Sequence, residues 1–368
     1  MRITLTDCWK QPSRFAHWPR WASVGVLAAV AALMLWGVIL SPLTQVEPVS
    51  APPVETLVAP VGPDVMLYHR VVERLRAGEN YYAAASEAMR ASKFPMRPFV
   101  TMRLPTLGWM LAALPEGLTL PLMAALLGGV MAAWSARLTP AARSKEAGFG
   151  ITLCVMAAGL VGFSPALTMF HEGWAGLLVA LSIALYRPDR WWPSVLAALA
   201  AVMIRELALP LVLMMGALAV LGQRWRECAA WAAVAVAFMA ALAAHAAHVW
   251  AVTSAADLPS PGWAAGGGWA FVLSSVHKST LLGMFPQMVT AILLPLSLLG
   301  WSAWRHPAGL RAFLFLSGFA VMMMIVGRPD NFYWAVMITP MLFMGALFAP
   351  LALRDLISDI RTPAAILT

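Results

Sequence analysis

Charge is what this sequence has least of. Acidic and basic residues make up 11% of the 368 residues, against 61% hydrophobic ones, where a soluble domain carries about 25% charged residues. A chain of this length with so little polar surface cannot cover a water-soluble globule, and its mean hydropathy of +0.75 places it in a bilayer. There is no basic run with interleaved aromatics, so the net charge of +8 does not point to nucleic acid. The lysines and arginines instead stand singly between apolar runs, as orientation charges do. Cysteine is scarce too: Cys8, Cys154 and Cys228 have no metal-ligand spacing, and two of them fall at predicted cytoplasmic ends, which argues against a structural disulfide. The glycine run Gly266-Gly267-Gly268 lacks the Lys-Ser/Thr and the strand–helix context of a phosphate loop. No internal repeat links the two halves.

What is present is a series of apolar runs. Trp21–Leu40 has no charge and follows Arg2, Lys10, Arg14 and Arg20; it is longer than the ~7–15 residues of a signal-peptide core and is expected to be an uncleaved first span with the N-terminus inside. Further spans are expected at Leu118–Ala136, Phe149–Phe163, Trp174–Tyr186, Ala229–Val252, Leu281–Trp304, Ala312–Val326 and Phe332–Leu351. Trp192–Leu221 is apolar except for Arg205-Glu206 before Pro210, and reads as two short helices meeting at that pair. Every predicted inner turn then holds at least two basic residues: Arg137, Arg143 and Lys145; Arg187 and Arg190; Arg224 and Arg226; Arg305 and Arg311; Arg354 and Arg361. The expected fold is an all-α polytopic membrane protein, a bundle of about ten transmembrane helices or half-helices. Residues 1–20 are expected to be a cytoplasmic N-terminus, 21–351 one membrane domain with an outer loop at 42–117, and 352–368 a cytoplasmic tail.

The outer loop is the most polar stretch. Asp64–Met89 reads as amphipathic helices broken near Gly78-Glu79-Asn80, with Leu67, Val71 and Leu75 on one face. Leu104–Leu114 rises only about 16 Å as a helix against a core of about 30 Å, and is expected to be interfacial or re-entrant. The polar groups that the orientation rule leaves unexplained all fall on the predicted outer side: the Asp64 loop, His171-Glu172, Arg205-Glu206, and Arg328 to Asn331. Ionisable groups at membrane depth are costly unless paired or wet, and they mark functional cavities.

This layout resembles the GT-C membrane glycosyltransferases. It shares a cytoplasmic N-terminus, one span, a long outer loop with an acidic residue near its start, interfacial helices, and an acidic residue opening the fourth span. Asp64 with Tyr68, and Gly78 with Tyr81-Tyr82, resemble the pattern of polyprenol-phosphate-sugar-dependent bacterial members, near glycosyltransferase family 87. Gly327-Arg328-Pro329-Asp330-Asn331-Phe332-Tyr333-Trp334 and Ile204-Arg205-Glu206-Leu207-Ala208-Leu209-Pro210 resemble motifs of cell-surface glycopolymer proteins. The chain departs from the family pattern in having Asp64 alone rather than a pair of acidic residues, and His171-Glu172 where Asp is common.

The resemblance implies a lipid-linked sugar donor, a glycan, lipid or protein acceptor, and membrane lipids as partners, with no nucleic acid. Asp64 is the expected general base, able to take the acceptor's proton. Arg205, and after it Arg328, are the expected phosphate ligands, since a guanidinium offers paired donors. Glu172 and Glu206 are expected to hold those arginines or the sugar, and Tyr81, Tyr82 and Tyr333 to stack on sugar or meet the lipid phosphate. Tyr68, His69, Arg97, Arg103, His171, Asp330 and Asn331 complete the expected substrate-binding set. No cofactor is certain from the residues; a divalent metal stays open, although too few outer carboxylates have fixed spacing to argue for a metal site. The bland readings are a helix cap for Asp64 and Glu172, a local ion pair for Arg205-Glu206, a plain turn for Arg328 to Asn331, and a solvated helix face for Arg70, Arg74, Arg76 and Arg90. A transporter or flippase is the other reading, because paired short helices around Arg205 resemble the broken helices of transporters.

Overall fold

A computed structural model describes residues 8–40, 63–115, 117–161, 163 and 165–361. Residues 42–62 of the expected outer loop and 362–368 of the expected tail lie outside the described residues. Among the described residues the chain is helical and has no named strand. In chain order the helices are α1 (Arg20–Leu40), α2 (Pro63–Arg76), α3 (Tyr81–Ala91), α4 (Thr106–Ala113), α5 (Thr119–Leu138), α6 (Lys145–Val161), α7 (His171–Leu185), α8 (Trp192–Ile204), α9 (Leu209–Leu221), α10 (Trp225–Val252), α11 (Gly268–Lys278), α12 (Gln287–Ala303), α13 (Pro307–Ile325), α14 (Thr339–Leu342) and α15 (Ala349–Arg361). Five segments are long and apolar enough to cross a membrane: Arg20–Ile39, Thr119–Ala141, Trp225–Val252, Pro307–Ile325 and Thr339–Arg361. His171–Leu185, Trp192–Ile204, Glu206–Leu221 and Gln287–Ala303 are shorter apolar helices. The chain is therefore an α-helical membrane protein.

By contacts, the chain divides into two compact units: Met1–Glu47, Gly129–Phe163 and Ala264–Thr368 form one, and Pro48–Gly128 with Ser164–Trp263 the other. The division falls inside α5.

In the first unit, the segments expected at inner turns gather. Lys10 donates to the Pro140 carbonyl at 2.8 Å, and the Arg143 amide donates to Cys8 at 2.7 Å. The Ser13 amide donates to Asp355 at 2.7 Å, and the His17 and Trp18 amides to Asp359, each at 3.1 Å. Arg305 Nε donates to the Ser13 carbonyl at 3.0 Å. Residues 8–18, the α5–α6 connection, the α12–α13 connection and the end of α15 thus share one end of this unit. His306 sits there as well; burial, with Arg137 and Arg311 nearby, pulls its imidazole down to about 4. Residues 352–361 of the expected tail lie in α15, which holds Arg354 and Arg361 and buries Ala352 and Leu356. Arg311 is not a loop charge but a buried residue of α13, donating to the Pro307 carbonyl. The expected span Phe332–Leu351 is also displaced, since Pro329–Met337 is a 3-10 segment and the long apolar run starts at Thr339.

Between α10 and α12 a further helix forms. Gly268, at φ +59°, opens α11, which buries Trp269, Phe271, Val272, Leu273 and Val276. Close packing in this unit is set by Gly300 and Gly345. A Cβ on Gly300 would overlap the Gly345 carbonyl oxygen, and one on Gly345 would overlap the Ser297 carbonyl oxygen.

In the second unit, the predicted break between α2 and α3 has a clear local cause. Gly78 takes φ +87°, a left-handed turn that glycine adopts without strain. Asn80 then caps α3, its Oδ1 accepting from the Tyr82 amide at 2.9 Å. The α8–α9 break is equally local. Arg205 is extended (φ −145°, ψ 119°), Glu206–Ala208 forms a 3-10 turn, and Pro210 enters the first turn of α9, where its missing N–H costs nothing. Helix α7 carries no charge after Glu172 and is buried along most of its length. It lies against α8, with the Ser182 hydroxyl donating to the Ser194 carbonyl at 2.8 Å.

Cysteines introduced at Gln11 and Arg361, in a chain lacking the three native cysteines, are expected to react with an impermeant thiol reagent from the same side of the membrane. Labelling from opposite sides would contradict the shared end. Gly300→Ala should lower the thermal stability of the purified protein by about 1–3 kcal/mol through overpacking, while Gly318→Ala, with open space at its Cβ, should leave the melting curve unchanged.

Candidate functional site

The second unit brings three of the four predicted polar segments together. Glu172 opens α7 and Arg205 ends α8, and each is 1% exposed. Arg205 Nε donates to Glu172 Oε1 at 2.6 Å. The other side of the same guanidinium meets Glu206. Glu206 in turn faces a second guanidinium, Arg103, at 3.6 Å, with side-chain exposures of 15% for Arg103 and 28% for Glu206. The result is a chain of alternating charge, Glu172–Arg205–Glu206–Arg103, sealed at one end and open at the other. His171 stands beside it, 4% exposed, its ring edge-on to Tyr68 at 5.0 Å. Burial of such charges is tolerable only when they are paired, and here the pairs are supplied by three stretches far apart in sequence.

Arg103 is held from its backbone. Tyr81, fully buried in this unit's core, donates its hydroxyl to the Arg103 carbonyl at 2.6 Å. Burial raises the Tyr81 hydroxyl far above the ordinary phenol range, so it stays a donor. One residue earlier, the Met102 carbonyl meets His245 Nε2 at 3.0 Å, and His245 Nδ1 meets the Tyr82 hydroxyl at 3.3 Å. A carbonyl can only accept, so Nε2 carries the proton and Nδ1 accepts from Tyr82. Tyr81 and Tyr82, expected on sugar or lipid, are buried, with their hydroxyls on the Arg103 carbonyl and the His245 ring. His245 was not singled out from the sequence, although histidines inside a 28-residue apolar helix, here His245 and His248, are the signal that marks it.

The remaining candidates fall elsewhere. Asp64 is a half-buried member of the first turn of α2, inside the helix rather than capping it, one turn before Tyr68 on the same face. His69 is exposed on α2. Arg97 belongs to a separate set: its Nε donates to the Asp257 carbonyl at 3.0 Å, and its own carbonyl accepts from the Ser260 amide at 2.6 Å. Arg90, read from sequence as a solvated face, pairs with Asp257 at 2.7 Å and donates to the Val252 carbonyl. That guanidinium holds the Asp257 carboxyl far below the usual carboxylate range.

Arg328, Asp330, Asn331 and Tyr333 belong to the first unit. There Arg328 grips Asp330 through two nitrogens, at 3.1 and 2.9 Å, and the Arg328 amide donates to Asn331 Oδ1 at 3.2 Å. The Arg328 guanidinium draws the Asp330 carboxyl below its ordinary value. Tyr333 is half-buried beside Phe332. No group of three or more His, Cys, Asp or Glu able to hold a metal ion occurs among the described residues.

Replacing His245 by Phe should cost about 1–3 kcal/mol, because the Met102 carbonyl and the Tyr82 hydroxyl lose a buried partner. His245→Gln, which keeps a donor and an acceptor, should recover part of the loss. Thermal unfolding of the purified variants in detergent checks both, and a neutral His245→Phe would show that the two bonds do not hold the Arg103 segment.

Comparison with protein-family models, with curated proteins and with solved structures returns no match.

Proposed function

We propose that this protein is an integral membrane glycosyltransferase. It moves a sugar from a polyprenyl-phosphate-linked donor to a cell-envelope acceptor, on the outer face of a bacterial plasma membrane, with both ends of the chain in the cytoplasm. The shorter apolar helices serve as half-spans, giving about ten in all.

One observation carries this reading. A network of two guanidinium groups and two carboxylates forms where the helix α7 opens and the α8–α9 break turns, and the amphipathic segment of α2 and Arg103 come to it from the preceding polar stretch. An arrangement of that kind offers an anion-binding edge beside an apolar helix surface, which suits a lipid phosphate. The acceptor hydroxyl must lose its proton as the new glycosidic bond forms, and the donor phosphate must leave with the bonding electrons. Asp64, half-buried one turn from Tyr68, is the proton acceptor in this reading. Arg205 is too deeply enclosed by Glu172 and Glu206 to present itself first to a substrate; Arg103, at the partly exposed end, takes the phosphate role and Arg205 orients Glu206. A transporter for a lipid-linked substrate is the second reading, favoured by the pair of short helices that meet at Arg205.

Asp64→Asn should keep the fold, because the loss of one acidic group from a first helical turn is worth only about 0.3–1 kcal/mol. It should lower sugar transfer by about 10²–10⁴-fold, the usual contribution of a general base. The measurement is transfer from a panel of polyprenyl-phosphate sugars by the purified protein. Turnover near wild type in Asp64→Asn removes the base assignment. Movement of intact lipid-linked sugar across a vesicle, with no transfer from any donor, would favour the transporter.

A further inference from the structure

The two guanidinium groups of the network are held in different ways. Arg205 and Glu172 are each 1% exposed and 2.6 Å apart. That couple is neutral in itself, and removing Arg205 would strand the buried Glu172 charge. Arg103 and Glu206 meet at 3.6 Å, longer than a hydrogen bond, at the edge where both side chains are partly exposed. Glu206 also contacts Arg205, so it can lose Arg103 and still be paired. The Tyr81 hydroxyl and the His245 imidazole hold the backbone carbonyls of Arg103 and Met102, so the Arg103 side chain reaches Glu206 from a fixed root.

We propose that Glu206 is a resident counterion: it holds Arg103 before substrate arrives and yields it to the phosphate of the lipid-linked substrate. This rests on the reading of the chain as acting on a lipid phosphate. The exchange is one of charge for charge and involves no covalent step. The arriving phosphate takes the Arg103 guanidinium, and Glu206 keeps Arg205. After the sugar has left, the return of Glu206 to Arg103 competes with the lipid phosphate product and helps to release it. Glu206 is a positioning residue in this scheme.

A distinctive consequence is that neutralising Glu206 strengthens binding. The test is equilibrium binding of undecaprenyl phosphate to the purified full chain in detergent at fixed salt, with undecaprenol and inorganic phosphate as parallel probes. Glu206→Gln is nearly isosteric and should tighten undecaprenyl phosphate binding by about tenfold or more, given the strength of a close charge pair away from bulk water. Glu206→Asp, whose carboxylate is drawn back from Arg103 but keeps its charge, should tighten it to a smaller degree and guards against misfolding of the first variant. Arg103→Ala should weaken binding, and in the Arg103→Ala, Glu206→Gln double variant the tightening should vanish. Undecaprenol should bind equally to all variants. Tightening for inorganic phosphate alone would overturn the lipid source. Unchanged or weaker binding in both Glu206 variants, or tightening that persists without Arg103, overturns the counterion role and leaves the glycosyltransferase reading standing. Failure of the wild-type chain to bind undecaprenyl phosphate in preference to undecaprenol overturns both.

Discussion

The buried pair of Glu172 and Arg205 is the constraint on which the second unit depends. Two charges lie among apolar helices, and breaking such a pair by removing one member typically costs about 3–5 kcal/mol. To satisfy it, the opening of α7 and the end of α8 must meet within hydrogen-bond reach. Arg205 therefore leaves the helix at Ile204 in an extended conformation, and the chain restarts at Leu209 with Pro210 in its first turn. Glu206 follows from that turn, and Arg103 follows from Glu206. The polar stretch before α4 is in this sense folded onto a charge that the apolar helices have already fixed.

Two kinds of carboxylate can be told apart among the described residues. Asp355 and Asp359 accept backbone amides of residues 13, 17 and 18, and Glu227 accepts from Arg224, Tyr186 and Trp231. Each is occupied by groups that the fold itself must satisfy. Glu206 differs, because its partners are two guanidinium groups and its side chain remains partly exposed. The distinction between a carboxylate that closes the fold and one that stays exchangeable rests on exposure and on how many partners compete for it. Charge or sequence position alone does not supply it.

Much of this was legible where the cause was local. Gly78 and Asn80 announce the break between α2 and α3, and Arg205-Glu206 with Pro210 announces the break between α8 and α9, because turn and cap chemistry act within a few residues. Features set by distant partners were not legible. Arg90 looked like a solvated charge until Asp257, 167 residues later, was seen to hold it. Arg354 looked like part of a tail because α15 is amphipathic and its apolar face shows its purpose only against residues near Phe15 and Leu299. Helix α11 was hidden behind three glycines and its short length. Tyr81 and Tyr82 carried the right signal, aromatic residues near a site, but their hydroxyls serve carbonyl and imidazole partners that the sequence could not pair with them.

The linkage of residues 13–18 to Asp355 and Asp359 has a consequence for biogenesis. The ribosome delivers α1 to the bilayer hundreds of residues before it delivers α12 and α15, the helices against which α1 packs. Until then α1 must wait as a solitary, lipid-solvated helix, a state its charge-free length allows. The second unit's segments, by contrast, have all been synthesised once Trp263 has emerged. Closure of the first unit thus comes after every segment of the second has been made, and α15 works as a clasp. Shortening the chain before Asp359 would leave residues 17 and 18 without their fastening, while the ion network of the second unit would already have every residue it requires.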